Sequence, residues 1–151
     1  MPVLYLLPLS VLSKYSQYWF YCLRWPTTLK RLEMKSKYFS ESEFICDGDI
    51  CYDKMNENLI KMLHTARKIA DIPFVINSSW RSEEHNAKIG GSKNSAHLRG
   101  NAVDISCTNS NSRLIIVNAL IVAGFTRIGI GKTFIHCDVD ETLPQNVMWV
   151  Y

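Results

Sequence analysis

SAHLRGNAVD, residues 95–104, is the stretch from which the rest of the chain is read. It starts in a polar loop, GSKNSAHLRGN (91–101), and runs into a strand over Ala102 to Cys107. Successive side chains on a strand alternate faces, so Ala102, Asp104 and Ser106 share one face and Val103, Ile105 and Cys107 the other. A second run, Thr133 to Val139, sorts the same way. Ile135, Cys137 and Val139 form its apolar face, while Phe134, His136 and Asp138 point oppositely. If the two strands are neighbours, Asp104, His136 and Asp138 converge, and His97, at the end of the loop, closes over the same face. Two imidazoles and a carboxylate with a fourth position free for water form the donor set of a catalytic zinc site. Read singly, these residues have plainer roles. Asp104 is then a strand-end hydrogen-bonding residue, and Asp138, Asp140 and Glu141 are solvated turn carboxylates. His64 and His85 read as surface or satisfied-core histidines. On spacing alone both readings stand.

Working outward, residues 56–70 place Leu59, Met62, Leu63, Ala66 and Ile69 on one helical face behind Asn56 as N-cap. Pro73 follows, and Phe74-Val75-Ile76 reads as a short strand leading into Asn77-Ser78-Ser79. Ser82 caps a short helix through Lys88, with Glu83 and Glu84 in its dipole-favoured first turn, and Gly90-Gly91 ends it. A second long helix is predicted over about 110–123, stopped by Gly124. Phe125 to Ile130 and Thr133 to Val139 then read as a hairpin across a Gly131-Lys132 turn of type II′. Together these elements predict an α+β domain: a small antiparallel sheet with helices packed on one side.

The 151 residues suit a single core, and 47% hydrophobic with 21% charged residues excludes collagen-like, low-complexity and fully disordered classes. The net charge of +3 is unevenly spread. Lys14, Arg24, Lys30, Arg31, Lys35 and Lys37 face only Glu33 in residues 1–37, which leaves 11 basic against 13 acidic side chains for 38–151. No basic stripe exists outside the leader, so a nucleic-acid partner is not expected. The five cysteines (Cys22, Cys46, Cys51, Cys107 and Cys137) are odd in number and contain no CxxC pair. This argues against a disulfide framework and a four-Cys zinc site. Cys107 and Cys137 read as buried thiols, and Cys46 and Cys51 as packed or solvated ones. Residues 1–33 are apolar and aromatic, but Pro8, Lys14 and Gln17 interrupt them before the roughly 18–20 residues that a spanning helix needs. They read as a non-domain leader, an upstream-start extension or a weak interfacial membrane anchor, with the domain beginning at Met34.

Ser95-Ala-His97-Leu-Arg-Gly100-Asn-Ala102-Val-Asp104 resembles the Ser-x-His-x-x-Gly-x-Ala-x-Asp signature of the D-alanyl-D-alanine carboxypeptidase-like family of zinc peptidases. Ser78-Ser79-Trp80-Arg81-Ser82 is similar to the family's Ser-Gly-Tyr-Arg segment, and Glu84-His85-Asn86 with Gly90-Gly91 continues it. Phe134-Ile135-His136-Cys137-Asp138 resembles its closing His-x-Asp strand. Lys37 to Phe44 looks like the opening of its short phage-type and bacterial cell-wall members. The resemblance covers about residues 37–151.

It implies one Zn2+ per chain bound by His97, Asp104 and His136, in a cleft on the sheet face opposite the helices. Arg81 is then the group for the substrate's carbonyl or terminal carboxylate, a task suited to its fixed charge and donor fork. Ser95 helps hold the peptide, and Gly100 permits the tight loop that returns His97 to Asp104. Relatives that carry a Glu three residues before the last ligand, or a His-x-His, have Thr133 and Phe134 in their place here. Asp138 is therefore the candidate general base, with support of a ligand histidine or of Arg81 as its other role. The implied activity is zinc-dependent hydrolysis of peptidoglycan stem peptides at the bacterial cell wall. A monomeric D,D-carboxypeptidase or murein endopeptidase of phage or prophage type fits, with membrane contact only through residues 1–33. The competing expectation is a non-catalytic, zinc-containing binding module, since the signalling domain of hedgehog proteins looks like the same fold.

Overall fold

A computed structural model describes residues 38–151. The leader over 1–33, the expected boundary at Met34 and Cys22 lie outside that range. In chain order the elements are β1 (Ile45–Cys46), β2 (Asp49–Ile50), α1 (Glu57–Ala70), β3 (Ile76–Ser78), α2 (Glu83–Lys88), β4 (Ala102–Ser106), α3 (Ser110–Val122), β5 (Arg127–Ile130), β6 (Phe134–Asp138) and β7 (Val147–Val150). β1 and β2 form a small antiparallel pair, and the other five strands form one sheet in the order β3-β4-β6-β5-β7. All its pairings are antiparallel except that of β5 with β7. Among the described residues no helix is long and apolar enough to cross a membrane.

Local chemistry accounts for the helices. The Asn56 side chain accepts from the backbone N–H groups of Asn58 and Leu59 (2.8 and 3.3 Å), and Asp71 ends α1 in the left-handed region. Asn109 caps α3 through the Ser112 N–H, and Gly124, at φ +100°, closes it. Leu59, Ile60, Leu63 and Ala66 of α1 and Ile116, Ala119 and Leu120 of α3 share one core with Val103, Ile105, Ile128, Ile135 and Cys137. Phe39, Phe44 and Phe74 complete that core. Each such side chain contributes roughly 1.5–3 kcal/mol by leaving water. The apolar parity of the two central strands thus sets the helices on one side of the sheet. The buried stripe of α1 is rotated from the expected one, with Ile60 inside and Ile69 45% exposed. His64 sits in the core edge-on to Phe39, and burial holds its pKa below the ordinary histidine value. His85 pairs with Asp47 at the surface (2.5 Å).

Three elements differ from the sequence expectation. The strand expected at 74–76 lies at 76–78, although the Val75 carbonyl still accepts from Ser106 N–H (2.8 Å). In the β5–β6 hairpin Ile130 faces Ile135 and Gly131 N–H donates to the Phe134 carbonyl, so the turn is Lys132-Thr133 rather than Gly131-Lys132. Gly131 does not adopt positive φ there, as a type II′ turn would need. Its missing side chain instead makes room for the Phe134 ring, which a Cβ would approach within 2.4 Å. Finally, β7 runs parallel to β5. β6 ends beside the start of β5, so residues 139–146 cross that end and deliver β7 to the free edge of β5. The β1–β2 turn, Asp47-Gly48, has positive φ at both positions, the conformation for which an Asp-Gly pair is suited.

The signature loop is held at both ends. Ser95 caps a single 3₁₀ turn over Ala96–Arg99, which Gly100 ends at φ +68°. A Cβ on Gly100 would lie 2.0 Å from the Lys54 carbonyl oxygen, and the Gly100 carbonyl accepts from Asn56 N–H (3.0 Å). At the other end Asp140, fully buried, accepts from Arg99 Nε (2.6 Å), Asn101 Nδ2 (3.3 Å), Thr142 N–H (3.0 Å) and the Thr142 hydroxyl (2.6 Å). Asp140 is thus a buried clamp rather than a solvated turn carboxylate, whereas Glu141 is exposed. Burial pushes the Asp140 carboxyl up, but the Thr142 and Arg99 bonds outweigh it and bring its pKa down to about 2.

Two outcomes are expected. Gly100→Ala combines a left-handed backbone with a clash against backbone, so it should cost more than about 3 kcal/mol, read as a fall in thermal midpoint. A carboxyl depressed in the folded state stabilises above its unfolded pKa of about 4 and loses that contribution as pH falls toward 2. Asp140→Asn should therefore lower stability at pH 7 and flatten the decline between pH 4 and 2, followed by urea midpoints across that range.

Candidate metal centre

The site lies along one row that crosses the sheet. Ser78 on β3 faces Asp104 on β4, Asp104 faces His136 on β6, His136 faces Gly129 on β5, and Gly129 faces Trp149 on β7. Directly opposed residues point to the same side of a sheet, so this row stands on the face opposite the helices. His97 is not on a strand, and the 3₁₀ turn of the signature loop lowers it onto the row.

Three atoms meet there. His97 Nε2 lies 3.3 Å from His136 Nδ1 and 3.3 Å from Asp104 Oδ1, and His136 Nδ1 lies 2.9 Å from the same oxygen. Among the described residues no other group of three His, Cys, Asp or Glu side chains could hold an ion. A tetrahedral zinc with bonds of about 2.0–2.1 Å separates its ligands by about 3.3 Å, so the spacing fits, as does the donor set. The outer hydrogen bonds give each ring its tautomer. His97 Nδ1 donates to the Ser79 carbonyl (2.6 Å), which leaves the Nε2 lone pair facing the centre. His136 Nε2 donates to Asp138 Oδ2 (3.0 Å), which leaves Nδ1 facing it.

The charges are paired. Asp104 Oδ2 accepts from Arg81 Nη2 (2.6 Å), so Oδ1 is left for an ion, and Arg81 Nε donates to the Ser78 hydroxyl (2.8 Å). Asp138 Oδ1 accepts from Arg127 Nε (2.7 Å) and Asp140 N–H (3.1 Å). Burial pushes the Asp104 carboxyl up, yet the close approach of the His136 and His97 ring nitrogens overcomes it and holds it well below the usual carboxylate range. Burial lowers the His97 pKa, which keeps that imidazole neutral. It also acts to lower His136, but the flanking Asp104 and Asp138 carboxylates outweigh it and the net shift is upward.

The structure brings together His97, Asp104 and His136, with Arg81 and Asp138 touching them. Asp138 is 1% exposed and both its oxygens are occupied, so it is no solvated turn carboxylate. Ser95 Oγ accepts from His97 N–H (3.3 Å). Cys46, Cys51, Cys107 and Cys137 are free and buried, and burial raises the Cys137 thiol far above its ordinary value. Sequence reasoning missed Arg127, the Ser79 carbonyl, Trp149 and Tyr151. The Trp149 and Tyr151 rings lie 5.5 and 6.3 Å from the His136 ring, and the two-residue spacing of these aromatics is a strand signal.

A family model described as Peptidase M15 matches residues 36–138, which includes the three candidate ligands, Arg81, Arg127 and Asp138. Among curated proteins none matches the chain. Because Asp138 orients His136, Asp138→Asn should weaken zinc binding by roughly 10–100-fold while the fold persists, measured by competition with a chromophoric chelator and by circular dichroism.

Proposed function

The chain belongs to the Peptidase M15 family, and from that premise we propose that it is a zinc-dependent hydrolase of peptide bonds in peptidoglycan stem peptides. It acts as a D,D-carboxypeptidase or an endopeptidase, with one zinc per chain. The observation that carries this reading is the approach of His97 Nε2, His136 Nδ1 and Asp104 Oδ1 to within 3.3 Å of one another. Zinc, when bound, supplies Lewis acidity and lowers the pKa of a water toward about 7.

The chain's own residues do the rest. Arg81 holds Asp104 through Nη2 and keeps Nη1, which makes no hydrogen bond among the described residues, for the substrate's carbonyl or terminal carboxylate. The Asp104 and Arg81 charges cancel, as do those of Asp138 and Arg127, so a divalent ion leaves the site in net positive charge. That balance favours a substrate ending in a carboxylate and the oxyanion that develops during hydrolysis. Of the two roles weighed for Asp138, its two engaged oxygens and near-complete burial support the positioning of His136 over proton transfer with substrate. Ser95, whose oxygen accepts from His97 N–H, retains a hydroxyl proton to donate to the peptide. The likeness of Lys37 to Phe44 to phage-type and bacterial cell-wall members supports a phage or prophage lysis or entry enzyme working at the bacterial wall.

A binding module that holds zinc without turnover is the second reading, favoured by Thr133 and Phe134 where relatives carry proton-moving groups. Mass spectrometry of muropeptides incubated with the full chain, with and without a chelator, separates the two. Loss of one D-Ala marks a carboxypeptidase, and separation of crosslinked dimers marks an endopeptidase. His97→Ala should remove bound zinc and lower the rate by at least roughly 10³-fold. Bound zinc with no product from the wild type would leave the binding module standing.

A further inference from the structure

The row across the sheet has one blank, Gly129, between the ligand His136 and Trp149 at the sheet edge. Gly129 is not at positive φ, so backbone freedom does not explain it. Space does. A Cβ there would lie 2.7 Å from Tyr151 Cε2 and 2.8 Å from Trp149 Cε2, because both rings lie down across that position toward His136. The two rings are 6.0 Å apart, and the Phe134 ring stands 5.0 Å from Tyr151. Three aromatic side chains therefore line the His136 side of the site, while Arg81 and Ser78 line the Asp104 side. Trp149 is only half-buried and Tyr151 is 65% exposed, so the aromatic surface is offered to a molecule arriving from solvent rather than consumed in the core. The guanidinium of Arg127, 5.3 Å from the Trp149 ring centre, carries the wall on the same group that holds Asp138.

We propose that Trp149 of β7 and the adjoining Tyr151 are the specificity wall of the substrate site, packing against the aliphatic side chain next to the scissile bond, and that Gly129 is the positioning residue that admits them. The inference deepens the peptidase reading and rests on it for the identity of the peptide. Opposed aromatic and cationic sides suit a peptide end whose carbonyl or carboxylate meets Arg81 while its methyl group meets the rings. The wall supplies no donor atom to the ion. The ligands stay on Asp104, His97 and His136, so removing it should alter substrate binding and selectivity and leave the metal alone.

The test uses the full zinc-loaded chain and an N-acetylated Lys-D-Ala-D-Ala tripeptide, with a second peptide in which Gly replaces the D-Ala beside the cleaved bond. The wild type should prefer the methyl-bearing peptide by roughly 10-fold or more in kcat/KM, since one buried methyl is worth about that factor. Gly129→Ala, which pushes the rings aside, and Trp149→Ala should raise KM at least 5-fold, erase the preference and leave zinc affinity within 2-fold. Unchanged KM and preference in Gly129→Ala and Trp149→Ala overturn the proposal, as does a loss of activity that tracks a loss of zinc. Should the wild type hold zinc but cleave neither peptide, the peptidase reading fails by itself. Quenching of tryptophan fluorescence by the tripeptide, present in the wild type and absent in Trp149→Phe, then supports the wall, and equal signals in both overturn it.

Discussion

Asp104 and His136 are directly opposed on two hydrogen-bonded antiparallel strands, and the site depends on that pairing. The pairing puts their Cβ atoms about 5 Å apart on one face, so their polar ends meet without any loop having to fold over them. A carboxylate and an imidazole buried in a sheet are costly unless their remaining hydrogen-bonding capacity is used. Arg81 takes the second oxygen of Asp104, and Asp138 takes the second nitrogen of His136. Asp138 in turn is a buried charge and needs Arg127. The chain of dependence runs outward from one cross-strand pair until it reaches groups near the surface.

His97 is delivered differently. It belongs to a loop, where an imidazole would ordinarily sample many positions. Here the loop is fastened by Gly100 against the Lys54 and Asn56 backbone and by Arg99 and Asn101 on Asp140. The Ser79 carbonyl then orients the ring. All three candidate ligand atoms are thus arranged by protein contacts alone.

The sheet divides the labour of the domain. Its helix side carries Val103, Ile105, Ile128, Ile135 and Cys137 into the core with α1 and α3, and its other side carries chemistry. The functional side is polar near β3 and β4 and aromatic near β5 and β7. This gradient places unlike surfaces on either side of the centre.

Much of this was legible in the residues. Alternation over 102–107 and 133–139 placed Asp104 and His136 on one face, because a strand side chain has only two directions to choose from. Caps at Asn56 and Ser82 and the stop at Gly124 act within a few residues, so the helices could be bounded locally. Register across the sheet could not. Placing the hairpin turn at Gly131-Lys132 pairs Arg127 with His136, whereas the observed turn one residue later pairs it with Asp138 and puts Gly129 beside His136. What moves the turn is the Phe134 ring lying on Gly131. β7 escaped because its partner is β5, and no local rule says which edge a short apolar run will join. The sequence by itself determined the three candidate ligands and the side of the sheet they occupy, through short-range periodicity and a contiguous signature. Which oxygens and nitrogens face the centre, that Asp138 is engaged by Arg127, and that the Trp149 and Tyr151 rings come to lie beside His136 were decided only in the folded molecule. Those facts depend on contacts between residues far apart in the chain, and only packing chooses among them.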